Sequence, residues 1–197
     1  MIVLASQSAA RRAMLAAAGV AHQAVPANID EAAVIAGLRA EHASPEHIGD
    51  ALAELKAVKI SRKMPDMLVL GADSVVVTAM GELMEKPENR AGAEAQLRQL
   101  SGTTHRLVSA AVIAQNGSPV WRSVGAARLT MRVLSDAFIA DYLDAEGDAV
   151  FGCVGCYRIE GLGAQLFHRV DGDQFTVRGL PLLAVLGFLR DRGVLAA

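Results

Sequence analysis

Hydrophobic and polar positions along this chain follow two alternating periods, one suited to strands and the other to helices. Ile2 to Ala5 is a short apolar run of the kind that forms a buried strand. Ser6 and Ser8 follow at alternate positions, and Arg11-Arg12 then open a stretch of strong helix formers, Ala13 to Ala18, which Gly19 stops. Val20 to Pro26 reads as a second strand. Asp30 stands where it would cap a helix over Glu31 to His42. Ser44-Pro45-Glu46 opens another helix, Pro45 to Lys63, with an N-cap hydroxyl, proline in first position and an early acid. Ile48, Leu52, Leu55 and Val58 or Lys59 form its expected inner stripe.

Met67 to Val77 (MLVLGADSVVV) is apolar throughout except at Asp73 and Ser74, the profile of a central strand covered on both faces. Met80-Gly81 predicts a turn, with a short strand leading on to Glu85-Lys86-Pro87. Ala91 to Leu100 has helical spacing, with Ala93, Leu97 and Leu100 inward and Ser101-Gly102 as its end. Asn116-Gly117 joins two strands, His105 to Gln115 and Pro119 to Val133, as a hairpin. Ser135 caps a helix that puts Phe138, Ile139, Tyr142 and Leu143 on one face. The glycine-rich stretch from Gly147 to Gly163 reads mostly as loop or irregular strand. A last helix starts near Leu180-Pro181 and is expected to bury Leu182, Leu183, Leu186 and Leu189. Alternation of helical and strand-like segments places the chain in the α/β class.

Composition narrows the functional classes. A chain of 197 residues buries a full core, as one large domain or as two lobes around a cleft. Hydrophobic residues at 52% and charged residues at 20% fit a compact fold and not a disordered one. A net charge of -2 argues against sequence-independent nucleic-acid binding, and aromatic content of 4% against a base-stacking platform. No apolar stretch approaches the roughly twenty residues that cross a bilayer. Arg11-Arg12 before AMLAAAGVA superficially imitates a twin-arginine export signal, but the apolar part is short and alanine-rich and follows a good strand. Cys153 and Cys156 form a C-x-x-C pair with no helix pattern after it and only half of a structural zinc set; two free, partly buried thiols are expected.

Strand, hydroxyl-bearing turn and cationic first helical turn together make an anion site. The helix start leaves N–H groups unpaired, and the dipole adds positive charge there. Arginine adds a fork of donors that fits phosphate oxygens. Asp73 is the sharpest single feature, because a carboxylate inside an apolar strand must be paired, bound to metal, or set at a strand end facing a site. Lys86 precedes a proline that would fix its backbone and aim it. Lys56, among apolar residues, has snorkelling as its plain alternative. Glu31 stands in a helix first turn, where an acid is favoured for dipole reasons alone. His105 reads as a core histidine bonded to backbone, since no candidate nucleophile is spaced to pair with it.

Taken in order, these residues resemble the Maf family of nucleoside triphosphate pyrophosphatases. LASQSAARRAML is similar to its opening L-A-S-x-S-P-R-R-x-x-L-L, LAELKA at Leu52 to Ala57 to its L-A-x-x-K-A, and GADSVV at Gly71 to Val76 to its G-A-D-T-V-V. EKP at Glu85 to Pro87, LSGTTHRLVSAAV and the closing GLPL at Gly179 to Leu182 also fit. The resemblance implies a Maf/ITPase-like fold over residues 1–197, a single domain with a mixed central sheet flanked by helices and two lobes around a nucleotide-binding cleft. It also implies hydrolysis between the α- and β-phosphates of a nucleoside triphosphate, a divalent cation (Mg²⁺ or Mn²⁺), a cytoplasmic location and commonly a homodimer. Ser6, Ser8, Arg11, Lys56 and Lys86 would then neutralise the polyphosphate. Asp73 would orient or deprotonate the attacking water, and Glu31 with Asp73 would hold the metal.

Two departures bear on the base. Ala9 and Ala10 replace the family proline and first arginine, a position linked to base choice in the branch that hydrolyses dTTP and UTP. Where that branch has I-Q-G, this chain has Ile159-Glu160-Gly161, and RIEGLGAQLFHRVDG is similar to the S-E-G-x-G-x-x-L-F of the branch acting on 7-methyl-GTP. A carboxylate is acceptor-only, so Glu160 suits the N1–H and N2–H donors of a guanine edge. That second branch carries tryptophan where Ala10 stands, and Ser74 matches neither pattern; both positions join Glu160 as candidates for substrate specificity. The competing classes are a dTTP/UTP pyrophosphatase and a nucleotide-binding regulator of cell division without turnover. A dinucleotide-binding oxidoreductase is a weak third, since Gly161-Leu162-Gly163 lacks the third glycine.

Overall fold

The structure is a computed structural model and describes residues 1–196. It divides into two compact units, one made of Met1–Ser74, Val108–Gly125 and the chain from Gly179 onward, the other of Val75–Leu107 and Ala126–Arg178. Parallel and antiparallel pairings both occur, so the sheet is mixed, as the α/β pattern and the family resemblance predict.

In the first unit, β1 (Ile2–Leu4) runs parallel to β2 (His22–Ala24) and, on its other side, to β3 (Val69–Val77). Next in order come β5 (Thr104–Gln115) and β6 (Ser118–Met131). Helix α1 (Ala9–Ala17) starts earlier than the helix formers alone suggest, because Ser8 accepts the Arg11 N–H and acts as its cap. Asp30 caps α2 (Glu31–Ala40) and Ser44 caps α3 (Pro45–Ser61), as expected.

Helix α3 departs from its predicted stripe. Ile48 and Leu52 are buried, but Leu55 is 43% exposed, and Gly49, Ala53, Lys56, Ala57 and Ile60 take the inner face instead. Leu55 lies two residues past Ala53, about 200° round the helix, so the two cannot share a face. Small residues are inside because α3 rides directly on β3. A Cβ added at Gly71 would lie 2.1 Å from the Ala53 carbonyl oxygen and 2.7 Å from the Ala57 nitrogen. Ala110, Val112 and Ala114 of β5 complete this tight layer. The closing helix α7, whose bounds are Leu182–Asp191, buries Leu182, Val185 and Leu189; Leu183 is 64% exposed and Leu186 only half-buried. Spacing of three and four selects that set, whereas the predicted leucines spread over too wide an arc.

In the second unit, β4 (Leu83–Met84) pairs antiparallel with the end of β3, and β7 (Phe167–Asp171) pairs antiparallel with β6. Helices α4 (Arg90–Leu100) and α5 (Asp136–Glu146) bury Ala93, Leu97, Leu100, Ile139, Tyr142 and Leu143 against Val76, Leu107, Leu129 and Met131. Gly147–Gly152 and Leu162–Leu166 are short 3-10 helices, and the residues between them, 153–161, form the loop read from the glycines. The sequence carries no signal for strand β7 or for the one-turn helix α6 (Gln174–Val177). Both are too short for a periodic signal to emerge.

Candidate active site

The close approach at Gly71 sets up the first cluster. Side chains two apart in a strand share a face, so Gly71 lets the helix in and Asp73 meets what the helix carries there. Lys56 lies three residues after Ala53 and one before Ala57, on the stripe that touches β3. Its ammonium is 2.5 Å from Asp73 Oδ1 and 2.6 Å from Glu31 Oε1. Lys56 therefore does not snorkel: it is buried with Asp73, and Glu31 reaches it from the first turn of α2. One turn along α3, Lys59 donates to the Asn28 carbonyl at 2.6 Å and so ties down the loop that delivers Glu31. The sequence marks Lys59 only as a packing position. Asp73 stands in the middle of β3 and not at its end; of the three options for such an acid, pairing is the one observed.

Arg11 organises a second set of contacts in the same unit. It is buried, whereas Arg12 points outward. Its Nε donates to the Gly179 carbonyl at 2.8 Å, Nη1 to Ser6 Oγ at 3.3 Å and Nη2 to Ser74 Oγ at 3.2 Å. Ser74 Oγ in turn lies 2.8 Å from Ser109 Oγ. Ser8 binds the Ser6 hydroxyl through its own N–H at 3.2 Å. An anion is thus not needed to explain an arginine at this helix start, since protein acceptors already engage its fork. Ser74 is a brace for Arg11, and Ala10 is half-buried one residue before it. Ser109 and Gly179 enter the sequence reading only as members of the stretches LSGTTHRLVSAAV and GLPL, with no role of their own. Ser109 was visible only as a lone hydroxyl in an apolar strand, and Gly179 offers a carbonyl, which every residue type has.

Lys86 and Glu160 belong to the second unit. Pro87 is buried and Lys86 exposed, consistent with a fixed backbone presenting the lysine outward. Gln96 donates to the Glu85 carbonyl at 2.7 Å and pins the same segment. Glu160 lies 3.9 Å from Arg158 Nε and 4.0 Å from Arg178 Nε. The Cys153 thiol feels this cluster: burial raises its pKa most, the Glu160 charge adds to that, and Arg158 and Lys86 oppose it. Both cysteines are free, and Cys156 donates to Gln96 Oε1 at 3.2 Å, its own pKa pushed up to about 12 by burial. His105 is a core residue, but its partner is the Tyr157 hydroxyl at 3.0 Å and not backbone. Desolvation lowers its pKa to about 4, so the ring is neutral at pH 7.

A family model described as Maf-like protein matches residues 1–192. The chain belongs to the Maf family. A nucleoside triphosphate pyrophosphatase of Sphingopyxis alaskensis is 49% identical over 193 residues, 98% of either chain. The protein named nucleoside triphosphate pyrophosphatase 1 of Jannaschia sp. is 50% identical over 195 residues, 99% of this chain and 98% of that one. A nucleoside triphosphate pyrophosphatase of Caulobacter vibrioides is 48% identical over 194 residues, 98% of this chain and 96% of its own. The Maf motifs L-A-x-x-K-A and G-A-D thereby gain a physical reading. Alanine and glycine let helix and strand touch, and lysine and aspartate are the pair that this contact brings together.

The donor set suits a hard divalent cation. Glu31 Oε1 and Asp73 Oδ1 each meet the Lys56 ammonium, and the two carboxylates together outweigh its single charge. Among the described residues no group of three or more His, Cys, Asp or Glu side chains is placed to hold a metal. Mg²⁺ is characteristically held by one or two carboxylates with phosphate oxygens and water completing its shell, so two acids are enough.

Proposed function

We propose that this chain hydrolyses a nucleoside triphosphate to the monophosphate and pyrophosphate. The observation that carries this reading is Lys56 held between Glu31 and Asp73, a cation and a water-directing acid on one rigid helix–strand contact. Asp73 orients a water toward the α-phosphorus and accepts its proton as the new P–O bond forms. The bond from the α-phosphorus to the bridging oxygen breaks, and pyrophosphate leaves with that oxygen. Lys56, Lys86 and Arg11 balance the charge of the phosphates, with Ser6 and Ser8 as hydroxyl donors. Mg²⁺ or Mn²⁺ held by Glu31 and Asp73 would supply further neutralisation of the phosphate oxygens when bound.

For the base, we assign a guanine-type substrate such as 7-methyl-GTP, read by Glu160. Its carboxylate accepts only, is partly shielded, and lies at ion-pair distance from two arginines without a hydrogen bond to either. Against dTTP or UTP, mismatching such a group costs up to about 10⁴-fold. Ser74 and Ala10 act through Arg11 and the first turn of α1. The chain also acts as a cytoplasmic homodimer in this proposal, and sedimentation of the purified protein tests the dimer.

One experiment decides most of this. Pyrophosphate release is measured from 7-methyl-GTP, GTP, dTTP, UTP and CTP with Mg²⁺ or Mn²⁺. Asp73→Asn is expected to fold normally and to lose about 10²- to 10⁴-fold in kcat. Unchanged turnover in that variant rejects the role given to Asp73. No turnover of any triphosphate by the native chain leaves the nucleotide-binding regulator in its place.

A further inference from the structure

Glu146 is the most enclosed carboxylate of the second unit, its side chain 5% exposed at the end of α5. Burial at that depth is costly unless the charge is matched. Arg158 Nη1 donates to its Oε2 at 2.9 Å, and the Leu162 N–H donates to its Oε1 at 3.0 Å. These two contacts fall on either side of Glu160. Gly161 makes the fit possible, because a Cβ there would lie 3.0 Å from Glu146 Oε1. The segment Arg158 to Leu162 is thus clasped at both ends by one buried acid, with Glu160 between the grips.

The clasp has a second consequence. Arg158 is drawn toward Glu146, which leaves its Nε 3.9 Å from Glu160, and Arg178 Nε stands 4.0 Å away on the other oxygen. Arg178 Nε has no hydrogen-bond partner among the described residues. Two guanidinium groups therefore flank Glu160 without closing on it. Left to itself, an arginine so near a carboxylate forms the shorter, charge-assisted pair and uses up the acceptor.

We infer that Glu146 is a positioning residue for substrate specificity: it competes for Arg158 and so keeps the Glu160 carboxylate open to the donors of a purine edge. The inference rests on the base-reading role proposed for Glu160. Glu146 touches no substrate; it sets the loop and occupies the arginine that would otherwise mask the acceptor.

The test is a double-mutant cycle with Glu146→Gln and Glu160→Gln, read as kcat and KM for GTP, 7-methyl-GTP and dTTP. Glu146→Gln keeps the acceptor for the Leu162 N–H and removes the charge that holds Arg158. It is expected to raise KM for the two guanine substrates about tenfold, with kcat and the dTTP constants within about twofold. In the Glu160→Gln background the same change adds no selectivity. An equal loss on every substrate, or the same selective loss without Glu160, overturns the inference. If Glu160→Gln is itself selective and Glu146→Gln is neutral, this inference alone falls. If Glu160→Gln is not selective, the base-reading role fails first and takes this one with it. Should Glu146→Gln not fold, Gly161→Ala replaces it in the same cycle, since its Cβ crowds the same oxygen, and unchanged selectivity there overturns the inference.

Discussion

The ionic groups of the two units are built on opposite plans. In the first, the Lys56 and Asp73 side chains are 9% and 11% exposed and meet at 2.5 Å, on a helix and strand in backbone contact. In the second, the Arg158 and Glu160 side chains are 37% and 26% exposed and stand 3.9 Å apart, on a loop held by a neighbouring acid. Charges buried in low dielectric interact strongly and lose little to salt, but they punish any loss of a partner. Half-exposed charges are worth less to stability and adjust at lower cost. Such a contrast suits the proposed division of labour, with Lys56 and Asp73 at the phosphates and Glu160 at the base. Rigidity belongs where charge develops, and a loop carries what must be tuned.

Breaking the tight cluster is expected to have the largest effect. Lys56→Met leaves Asp73 buried beside Glu31 with no cation between them; turnover is abolished and stability falls by about 3 kcal/mol, roughly 10 °C in Tm. Urea unfolding and pyrophosphate release check both, and a stable, active Lys56→Met variant would show that the cluster is dispensable.

Acid tests the core of the second unit through His105. Its folded pKa of about 4 lies below the ordinary 6.5, so the unfolded chain binds the proton first. The contribution is fully present above pH 6.5 and is lost progressively from there down to about pH 4. The loss amounts to about 3 kcal/mol at most. Unfolding free energies at pH 7.5, 6, 5 and 4 should show a slope over that window that shrinks in His105→Phe. Equal slopes in the two proteins would remove His105 as the source.

Smaller effects follow in the looser cluster. Glu160→Gln is expected to weaken guanine substrates selectively by about tenfold while leaving stability within about 0.5 kcal/mol. Smallest is Ser109→Ala, which removes the hydroxyl behind Ser74 in the Arg11 network and should cost about 1 kcal/mol. An accompanying rise in KM for all triphosphates alike would show that the brace reaches Arg11, whereas no change in KM confines Ser109 to packing.

Much of this molecule could be read from the chain. Caps at Asp30, Ser44 and Ser135 are local chemistry and appear where the residues predict them. The hairpin at Asn116-Gly117 and the buried strand around Asp73 follow equally from neighbours in sequence. Local order missed the 3-10 turns after Gly147 and the short strand β7, because neither spans enough residues to show a period.

By itself, then, the sequence determined the alternation of elements, the family, and a set of candidate acids and cations. It did not determine which of those charges meet. That Lys56 turns inward to Asp73 and Glu31, that Arg11 is held by Gly179 and Ser74, and that Glu146 clasps the loop of Glu160 are decided by approach between segments far apart in the chain. The physical reason is distance. A side chain's period states which face it occupies, but the strength of a charge pair depends on separation and burial, and these exist only once a helix has room to settle against a glycine in the strand beneath it.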